Sequence, residues 1–271
     1  MNSCLKELKC GCSPSQISCK SERYWTMYGK SVWYSNRFPD VGNYHMNYSG
    51  IFHPEIPKRL MLLYSHKYQT VLDCFGGIGT TAIAAKLNTR NSISLELDPE
   101  RIKQAKTRLN EIPGFETHHK FVQGDNKTIL GTIDGNSCDL VVTSPPYFNI
   151  LDYSKDALDI GNIDDYDDFM SKFQSVLEET HRVLKPESHC CLVVGDVVTG
   201  GFRPFPFDVF SLAKNAKFKP RGSIVIVNGE NPNEAALAGF SDDTSQVKSL
   251  YDIDPLHELV LIFKKSQYLN W

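Results

Sequence analysis

The sequence predicts an α/β fold built on a doubly wound, mostly parallel β-sheet. From residue 70 onward, apolar segments of strand length alternate with segments of helical periodicity. Strands that alternate with helices pair in parallel, because each helix carries the chain back to the starting edge of the sheet. The chain has 271 residues, of which 41% are hydrophobic and 23% are charged. That length is enough for one large α/β domain, or at most two small ones.

The predicted elements begin with a helix over residues 54–64, where Ile56, Leu60 and Leu63 recur at helical spacing. A strand over 70–75 and a helix over 80–87 flank a glycine-containing turn. A strand over 91–97 then leads to a helix over 99–109, which has Pro99 at its first position, where proline is tolerated. Strands over 120–123 and 138–143 follow.

A long helix is predicted over 166–184, because the proline at position 186 cannot continue it. A strand over 189–194, a helix over 208–215, and strands over 223–227 and 258–264 complete the alternation. The polar segment between the last two strands has no helical pattern. We therefore expect these two strands to form an antiparallel pair at the edge of the sheet.

Residues 1–50 are predicted to form an N-terminal extension, and residues 51–271 the domain that contains the alternation. The extension is rich in aromatic residues between Tyr24 and Tyr48, with Lys30 and Arg37 among them. The net charge of -3 argues against a protein that coats nucleic acid non-specifically. Residues 1–70 nevertheless contain nine Lys or Arg against four Asp or Glu. The sequence is therefore compatible with a local basic face, but not with a globally basic surface.

The eight cysteines form two groups. Four lie in strand-like apolar segments and are typical of small core residues in a reducing compartment: Cys74, Cys138, Cys190 and Cys191. Four crowd into sixteen residues without the paired C-x2-C spacing of structural zinc sites, so we predict no metal and leave zinc as the alternative: Cys4, Cys10, Cys12 and Cys19. No apolar run approaches 18 residues, and no signal-peptide pattern is found. We expect a cytoplasmic protein, or a nuclear one in a eukaryote, with no membrane partner.

The turn after the first strand of the alternation is the first candidate site, with the sequence Asp73-Cys74-Phe75-Gly76-Gly77-Ile78-Gly79-Thr80-Thr81. Glycines let a ligand approach the backbone, and a helix N-terminus offers free N–H groups. The next strand ends in Glu96-Leu97-Asp98, where a carboxylate can accept both hydroxyls of a ribose. Asp125 closes the following strand and can bond an adenine amino group. A tight turn alone would explain the glycines, but the three strand ends together predict a nucleoside cofactor.

The second candidate site is Ser144-Pro145-Pro146-Tyr147, at the carboxyl end of the strand over 138–143. A rigid loop that ends a strand would explain the prolines, but not an exposed aromatic pair beside them. An exocyclic amine of a base is a poor nucleophile, because its lone pair is delocalised into the ring. The Ser144 hydroxyl and the Pro145 carbonyl can accept hydrogen bonds from its two N–H groups. These bonds favour a pyramidal nitrogen, whose lone pair is free to attack. Tyr147 can stack on a base that has been flipped out of a nucleic-acid double helix.

Together these motifs resemble those of the DNA amino-methyltransferases, and the resemblance runs from residue 52 to residue 264. It implies a Rossmann-like, seven-stranded, mostly parallel sheet with an antiparallel last strand, and S-adenosylmethionine as the cofactor. It also implies methylation of cytosine N4 or adenine N6 in a flipped-out base of DNA, as in restriction-modification. Residues 51–271 would then be the methyltransferase catalytic domain.

The resemblance assigns functional residues on the matching positions. The catalytic residues are Ser144, Pro145, Pro146 and Tyr147. The segment 52–54 is similar to one that cups the methionine part of the cofactor, and 257–260 is similar to the family's last strand. The cofactor-binding residues are Phe52, His53, Pro54, Asp73, Phe75, Gly76, Gly77, Gly79, Thr80, Thr81, Glu96, Asp98 and Asp125.

Serine at the head of the catalytic motif is more frequent among cytosine N4 enzymes, so we expect N4-methylcytosine, with adenine N6 as the alternative. Cytosine C5 chemistry needs a Pro-Cys pair, which the sequence lacks. An amine in RNA, a protein amide and a catalytically idle nucleic-acid-binding subunit stay open as further alternatives. We expect a monomer or a weak homodimer.

About sixty residues separate the two motifs, which leaves no room there for a target-recognition domain. Recognition would then come from short segments, namely the aromatic extension and residues 199–207 and 228–249. A basic cluster either binds phosphate or forms a solvated helix end and turn: Lys214, Lys217, Lys219 and Arg221. The acidic run over 164–168 is interpreted as a helix N-terminal charge cluster.

Overall fold

A computed structural model describes residues 22–39, 52–112, 116–148, 159–197, 203–227 and 257–267. Within these ranges the chain forms one eight-stranded sheet with helices on both faces. The strands are β1 (Val32–Tyr34), β2 (Thr70–Asp73), β3 (Asn91–Glu96), β4 (His119–Gln123), β5 (Cys138–Thr143), β6 (Leu184–Val194), β7 (Lys219–Val227) and β8 (His257–Lys264). The helices are α1 (Glu22–Tyr28), α2 (Glu55–Tyr64), α3 (Thr80–Leu87), α4 (Pro99–Asn110), α5 (Asn126–Thr132), α6 (Tyr166–Val183) and α7 (Phe205–Asn215).

The strand order is β1-β7-β8-β6-β5-β2-β3-β4. All neighbouring strands pair in parallel except β8, which is antiparallel to both β6 and β7. This confirms the predicted α/β sheet with an antiparallel last strand. Strand β1 is an eighth strand that the sequence analysis did not predict, and the edge position expected for the last two strands belongs to β1.

The sheet is buried on both faces, and its side chains alternate between two cores. On β6, Cys190 packs with Phe169, Phe173 and other residues of α5, α6 and α7, while its neighbour Cys191 packs with residues of α2 and α3 on the other face. Cys74, Cys138, Cys190 and Cys191 are buried and form no disulfide within the described ranges, as predicted for small core residues. The other four cysteines lie outside the described residues.

Three elements begin three or more residues before their predicted starts: β6, α7 and β7, which begins at Lys219 instead of residue 223. Strand β6 begins at Leu184 and includes Pro186, and its register with β5 shifts between Cys138 and Leu140, so proline lies in an irregular part of the ladder. Helix α7 begins at Phe205, because proline at position 206 lies in its first turn and needs no hydrogen-bonded N–H there.

The described part of the N-terminal extension is attached to the sheet. β1 pairs with β7, and Trp33 is only 2% exposed, in the core beneath α2. The Arg59 guanidinium of α2 lies over the rings of Tyr28, Trp33 and Phe38, at 4.5 to 5.2 Å from their centroids. These aromatic residues therefore anchor the extension to the fold. The domain boundary at residue 50 stays a prediction.

Two kinds of feature are absent from the described ranges. No helix there has the length and apolar character needed to cross a bilayer. Nor do three or more His, Cys, Asp or Glu side chains in those ranges form a group suited to a metal ion.

Candidate active site

The predicted site residues meet at one edge of the sheet. Strands β2, β3, β4, β5 and β6 run in parallel, so their carboxyl ends share that edge. Both predicted motifs follow such ends, the glycine turn after β2 and the Ser144–Tyr147 loop after β5. Since β2 and β5 are neighbours in the sheet, the two motifs lie side by side. Open α/β sheets bind ligands at this position.

The glycine turn is closed by backbone hydrogen bonds, and a Cβ on Gly76 would lie only 2.8 Å from Ser94 Cβ. Gly76 N–H donates to the Leu95 carbonyl at 2.7 Å, and Gly79 N–H donates to the Gly76 carbonyl at 2.9 Å. Gly77 and Gly79 have φ values of 49° and 84°, which side chains rarely adopt. A Cβ on Gly79 would lie 2.9 Å from Ala105 Cβ, whereas a Cβ on Gly77 would meet no atom within 4 Å. Gly79 is therefore required by packing, while open space lies over Gly77.

Asp73 connects the two motifs instead of facing that space. Its side chain is buried, and its Oδ1 accepts hydrogen bonds from Phe75 N–H at 3.0 Å and from the Thr143 hydroxyl at 2.7 Å. Its Oδ2 accepts a hydrogen bond from the Thr81 hydroxyl at 2.5 Å. Burial raises the pKa of Asp73, against the opposing effect of these hydrogen bonds. Asp73 therefore ties β2, α3 and β5 together.

Glu96 lies at the end of β3, beside the glycine turn. Its Oε2 accepts a hydrogen bond from Gly77 N–H at 2.7 Å, and its Oε1 accepts two from the backbone N–H groups of Leu97 and Asp98, each at 2.9 Å. A carboxylate has about four acceptor positions, so one remains for a ligand hydroxyl. Burial raises the pKa of Glu96, although the hydrogen bonds favour its ionised form.

Asp98 and Asp125 both act as helix N-caps. Asp98 Oδ1 accepts from Glu100 N–H at 2.8 Å, and Asp125 Oδ2 accepts from the backbone N–H and the hydroxyl of Thr128 at 2.9 and 2.8 Å. Asp125 follows Gln123, the β4 partner of Glu96, so it lies at the same edge. The structure gives Asp98 a capping role, and its predicted role in cofactor binding stays a prediction.

The segment before α2 lies at the start of that helix. Pro54 is its buried N-cap residue, and His53 Nδ1 accepts a hydrogen bond from Glu55 N–H at 3.1 Å. The His53 ring lies 5.0 Å from the ring of Phe38, which follows β1, and Phe52 packs against the core on the α2 face. Residues 52–54 therefore join the N-terminal extension to the site edge.

The second motif presents a half-buried serine and tyrosine on two buried prolines. Ser144 and Tyr147 are partly exposed, while Pro145 and Pro146 are buried. The Tyr147 ring meets Phe205 of α7 edge-on, with 5.9 Å between centroids. Its hydroxyl donates a hydrogen bond to Oε1 of Glu258 at 3.2 Å. Glu258 lies on β8, and its contact with Tyr147 could not be predicted, because nothing local in the sequence relates positions 147 and 258.

A second aromatic group borders the motif on the α6 side. Phe148 is buried and packs edge-on against Tyr166, with 5.1 Å between centroids, and the Arg203 guanidinium lies over both rings. The Tyr166 hydroxyl donates to Asp208 at 2.7 Å. Burial and this carboxylate raise the pKa of Tyr166. Phe148 is therefore a packing residue, and the exposed aromatic pair predicted for the motif reduces to Tyr147.

Two predicted charged clusters have clear positions. The acidic run begins α6, where Asp165 caps the helix by accepting Asp168 N–H at 2.9 Å, which confirms that interpretation. The basic cluster surrounds the start of β7, at the amino edge of the sheet and opposite the candidate site. Its members are Lys214, Lys217, Lys219 and Arg221. Most of the predicted recognition segments, residues 198–202 and 228–249 among them, lie outside the described residues.

The residues at this edge fit a nucleoside cofactor. The space over Gly77 lies next to the Glu96 carboxylate, and the hydroxyl of buried Thr80 has no hydrogen-bond partner among the described residues. Thr80 begins α3, whose first N–H groups also point toward this turn. The donors and acceptors expected around a ribose and its polar substituents are therefore present.

A family model described as DNA methylase matches residues 15–107 and 138–270, which is more than half of the chain. A model described as RNA cap guanine-N2 methyltransferase matches residues 68–184. Among curated proteins, Type II methyltransferase M.BglII of Bacillus subtilis is 34% identical over 123 residues, which are 44% of this chain and 32% of that protein. M.MjaVI of Methanocaldococcus jannaschii is 26% identical over 135 residues, which are 49% of this chain and 66% of that protein. The match spans only about a third of M.BglII.

One solved structure supports the fold. Precorrin 8W decarboxylase of Methanobacterium thermoautotrophicum has a TM-score of 0.50 at 15% identity, covering 79% of this chain and 91% of that one. A DNA modification methylase of Thermus thermophilus, complexed with S-adenosyl-L-methionine and itself described as putative, has a TM-score of 0.39 at 25% identity, covering 55% and 56% of the two chains.

Proposed function

Because this chain belongs to the DNA methylase family and its cofactor is S-adenosylmethionine, we propose that it methylates the N4 amine of cytosine in DNA. One observation carries the proposal. The Ser144–Tyr147 loop and the glycine turn are joined by the buried hydrogen bonds from Thr143 and Thr81 to Asp73. A methyl donor held at the turn would therefore lie next to an amine held at the loop.

The proposed residue roles follow from the chemistry of the amine. The Ser144 hydroxyl and the Pro145 carbonyl accept hydrogen bonds from the two N–H groups of the amine, which favours a pyramidal nitrogen with a free lone pair. Pro146 keeps the loop rigid, and Tyr147 stacks on the flipped-out base. The cofactor supplies an electrophilic methyl group when bound. The proton leaves after methyl transfer, so no strong general base is needed.

The proposed cofactor contacts use the open side of the turn. Glu96 accepts a ribose hydroxyl, Asp125 bonds the adenine amino group, and the backbone around Phe75 and Gly77 lies against the ligand. Residues 52–54 border the methionine part. Gly76, Gly79, Thr80 and Thr81 shape the turn and the start of α3, and Asp73 acts through its hydrogen bonds.

Two other amines are alternative methylation targets to cytosine N4 in DNA. Adenine N6 needs the same two acceptors, and serine at the head of the loop favours cytosine without excluding adenine. The match to an RNA cap guanine-N2 family favours an exocyclic amine in RNA as the second candidate. The buried cysteine thiols support a reducing compartment, so we propose a cytoplasmic enzyme. We also propose that it acts as a monomer or weak homodimer.

Nucleoside mass spectrometry tests the proposal on DNA and RNA from cells that express this chain and lack other amino-methylases. The comparison variant is Ser144→Ala with Tyr147→Ala, and Ser171→Ala on the exposed side of α6 is the control. We expect N4-methylcytosine in DNA with the wild type and the control, and none with the double variant.

Detection of N6-methyladenine in DNA would support the same mechanism, with adenine instead of cytosine as the methylated base. A methylated amine found only in RNA would support the second candidate and contradict the first. If no mark appears and the purified protein with added cofactor methylates neither polymer, the proposed activity is wrong.

A further inference from the structure

The antiparallel direction of β8 brings an acidic side chain to the candidate active site. In a parallel strand, the first residues lie at the amino edge of the sheet, far from the ligand. Because β8 runs the other way, its first residues lie at the carboxyl edge: Leu259 pairs with Val194 at the end of β6, and Glu258 pairs with Ile226 near the end of β7. The antiparallel direction of β8 therefore places the Glu258 side chain beside Tyr147.

Tyr147 is held at two points. Phe205 meets its ring edge-on, with an interplanar angle of 67°. At the far end of the ring, the hydroxyl donates to Glu258 Oε1 at 3.2 Å. Gly195 lines the same spot, since a Cβ there would lie 3.5 Å from the Tyr147 hydroxyl and 3.7 Å from Glu258 Cγ. The hydroxyl therefore lies between β6 and β8, and the ring is anchored at both ends.

This arrangement matters for the proposed stacking role. The ring of a tyrosine swings as a whole about χ1 and turns on its own axis about χ2 when nothing holds it. The hydroxyl oxygen lies on the χ2 axis, so a hydrogen bond to it limits the swing, while contacts with the ring limit the turn. A base stacks well on only one orientation of the ring, and a hydrogen bond to a charged acceptor is among the stronger constraints available. Edge-on packing by Phe205 limits the tilt of the ring, while Glu258 fixes the position of its far end.

We propose that Glu258 is a positioning residue, which orients the Tyr147 ring for the base through the hydroxyl-to-carboxylate hydrogen bond. This inference rests on the proposed function, because it assigns Tyr147 the base-stacking role. Glu258 acts through Tyr147, so its contribution should vanish when the tyrosine hydroxyl is absent.

A double-mutant cycle tests this dependence. We would measure methyl transfer to unmethylated genomic DNA by the full chain and by the variants Glu258→Ala, Tyr147→Phe and the two combined. We expect each single change to lower kcat about tenfold with a KM for DNA within about twofold, and the combination to be no slower than either alone. Glu258→Gln, which keeps an acceptor oxygen, should stay within about threefold of wild type. Glu178→Ala, on the exposed side of α6, is the control.

Single effects that multiply in the combined variant, or a Glu258→Ala variant with the wild-type kcat, would overturn the inference. Thermal unfolding checks that each variant folds, and Glu258→Leu replaces Glu258→Ala if the latter does not.

A second readout is independent of activity. In protein labelled with 3-fluorotyrosine, the Tyr147 fluorine resonance is identified by its absence in Tyr147→Phe. We expect this resonance to shift in Glu258→Ala and not in Glu178→Ala, and an unchanged resonance in Glu258→Ala would overturn the inference. If the wild type methylates no DNA while the resonance still depends on Glu258, the positioning contact stands and the proposed function fails.

Discussion

Arg90 illustrates how much one buried side chain does in this fold. It is 5% exposed and lies just before β3. Its guanidinium donates to the carbonyls of Met61, Ser65 and Asn88 and to the Ser65 hydroxyl, at 2.6 to 3.2 Å. Met61 and Ser65 are at the end of α2, so Arg90 satisfies carbonyls that a helix C-terminus leaves unpaired. Burial lowers the pKa of Arg90 to about 10, which leaves it charged at neutral pH.

We expect Arg90→Met to lower the free energy of unfolding by about 2 to 4 kcal/mol, because buried carbonyls would lose their donors. Urea unfolding followed by circular dichroism measures this change. Lys103→Met is the control, since the Lys103 side chain is 75% exposed and should change the value by less than about 0.5 kcal/mol. A loss no larger than that of the control would show that water replaces the guanidinium at the end of α2.

At the scale of elements, two glycines of the turn after β2 have different roles, one in packing and one in ligand binding. A Cβ on Gly79 collides with Ala105, so its replacement would disturb α4. A Cβ on Gly77 enters open space, so its replacement strains only the backbone and occupies the proposed ligand position. Gly77 is therefore the informative position for cofactor binding.

We expect Gly77→Ala to lower the free energy of unfolding by about 1 kcal/mol, since alanine is strained at positive φ. It should weaken binding of S-adenosylmethionine at least about tenfold in titration calorimetry. Gly131→Ala in α5 is the matched control, because it also meets open space and replaces a glycine in a helix. It should be neutral or stabilising by about 0.5 to 1 kcal/mol, with unchanged cofactor binding. Equal affinities for the two variants would mean that the cofactor does not approach Gly77.

Elements with a strong hydrophobic pattern were predictable from the sequence, and others were not. Helix α3 and strand β5 have their predicted bounds, because a glycine turn starts one and a mostly apolar segment, buried throughout, forms the other. The short elements α1, β1 and α5 are not predicted by the sequence, since the two helices have only 7 residues each, too few to show a helical period, and β1 has only 3. β1 exists because the edge of β7 is available for pairing, which is a property of the folded sheet.

The candidate site shows the same division. Residues on the two motifs could be predicted, because each motif is contiguous in sequence. The contact between Tyr147 and Glu258 joins positions 111 residues apart and depends on the direction of β8. The junction that Asp73 forms between Thr81 and Thr143 could not be predicted either, since positions 73 and 143 are 70 residues apart, and its predicted role in cofactor binding stays a prediction.

At the scale of the whole molecule, the sheet separates the predicted basic cluster from the candidate site. β7 has nine residues, so its two ends lie about 26 Å apart at about 3.3 Å per residue. The basic cluster surrounds its first residue, while the motifs lie at the opposite edge. At the site edge, Arg37 follows β1, is exposed, and stacks 4.8 Å from the centroid of the Tyr34 ring. It makes no ion pair within the described ranges.

The position of Arg37 gives the last prediction. Four strand spacings of about 4.8 Å, or about 19 Å in all, separate β1 from β5, and this is the length of five to six base pairs. A duplex whose target base reaches Ser144 can therefore place a phosphate at Arg37, but not at Arg221 on the opposite edge.

We expect Arg37→Gln to weaken DNA binding for all sequences and to reduce the slope of log K against log salt by about 0.9, because one fewer counterion is released. Arg221→Gln, the same substitution at the amino edge, should leave the slope unchanged. Fluorescence anisotropy of labelled duplex DNA over about 50 to 200 mM salt measures both, and a slope that falls for Arg221→Gln alone would mean that DNA binds across the opposite edge.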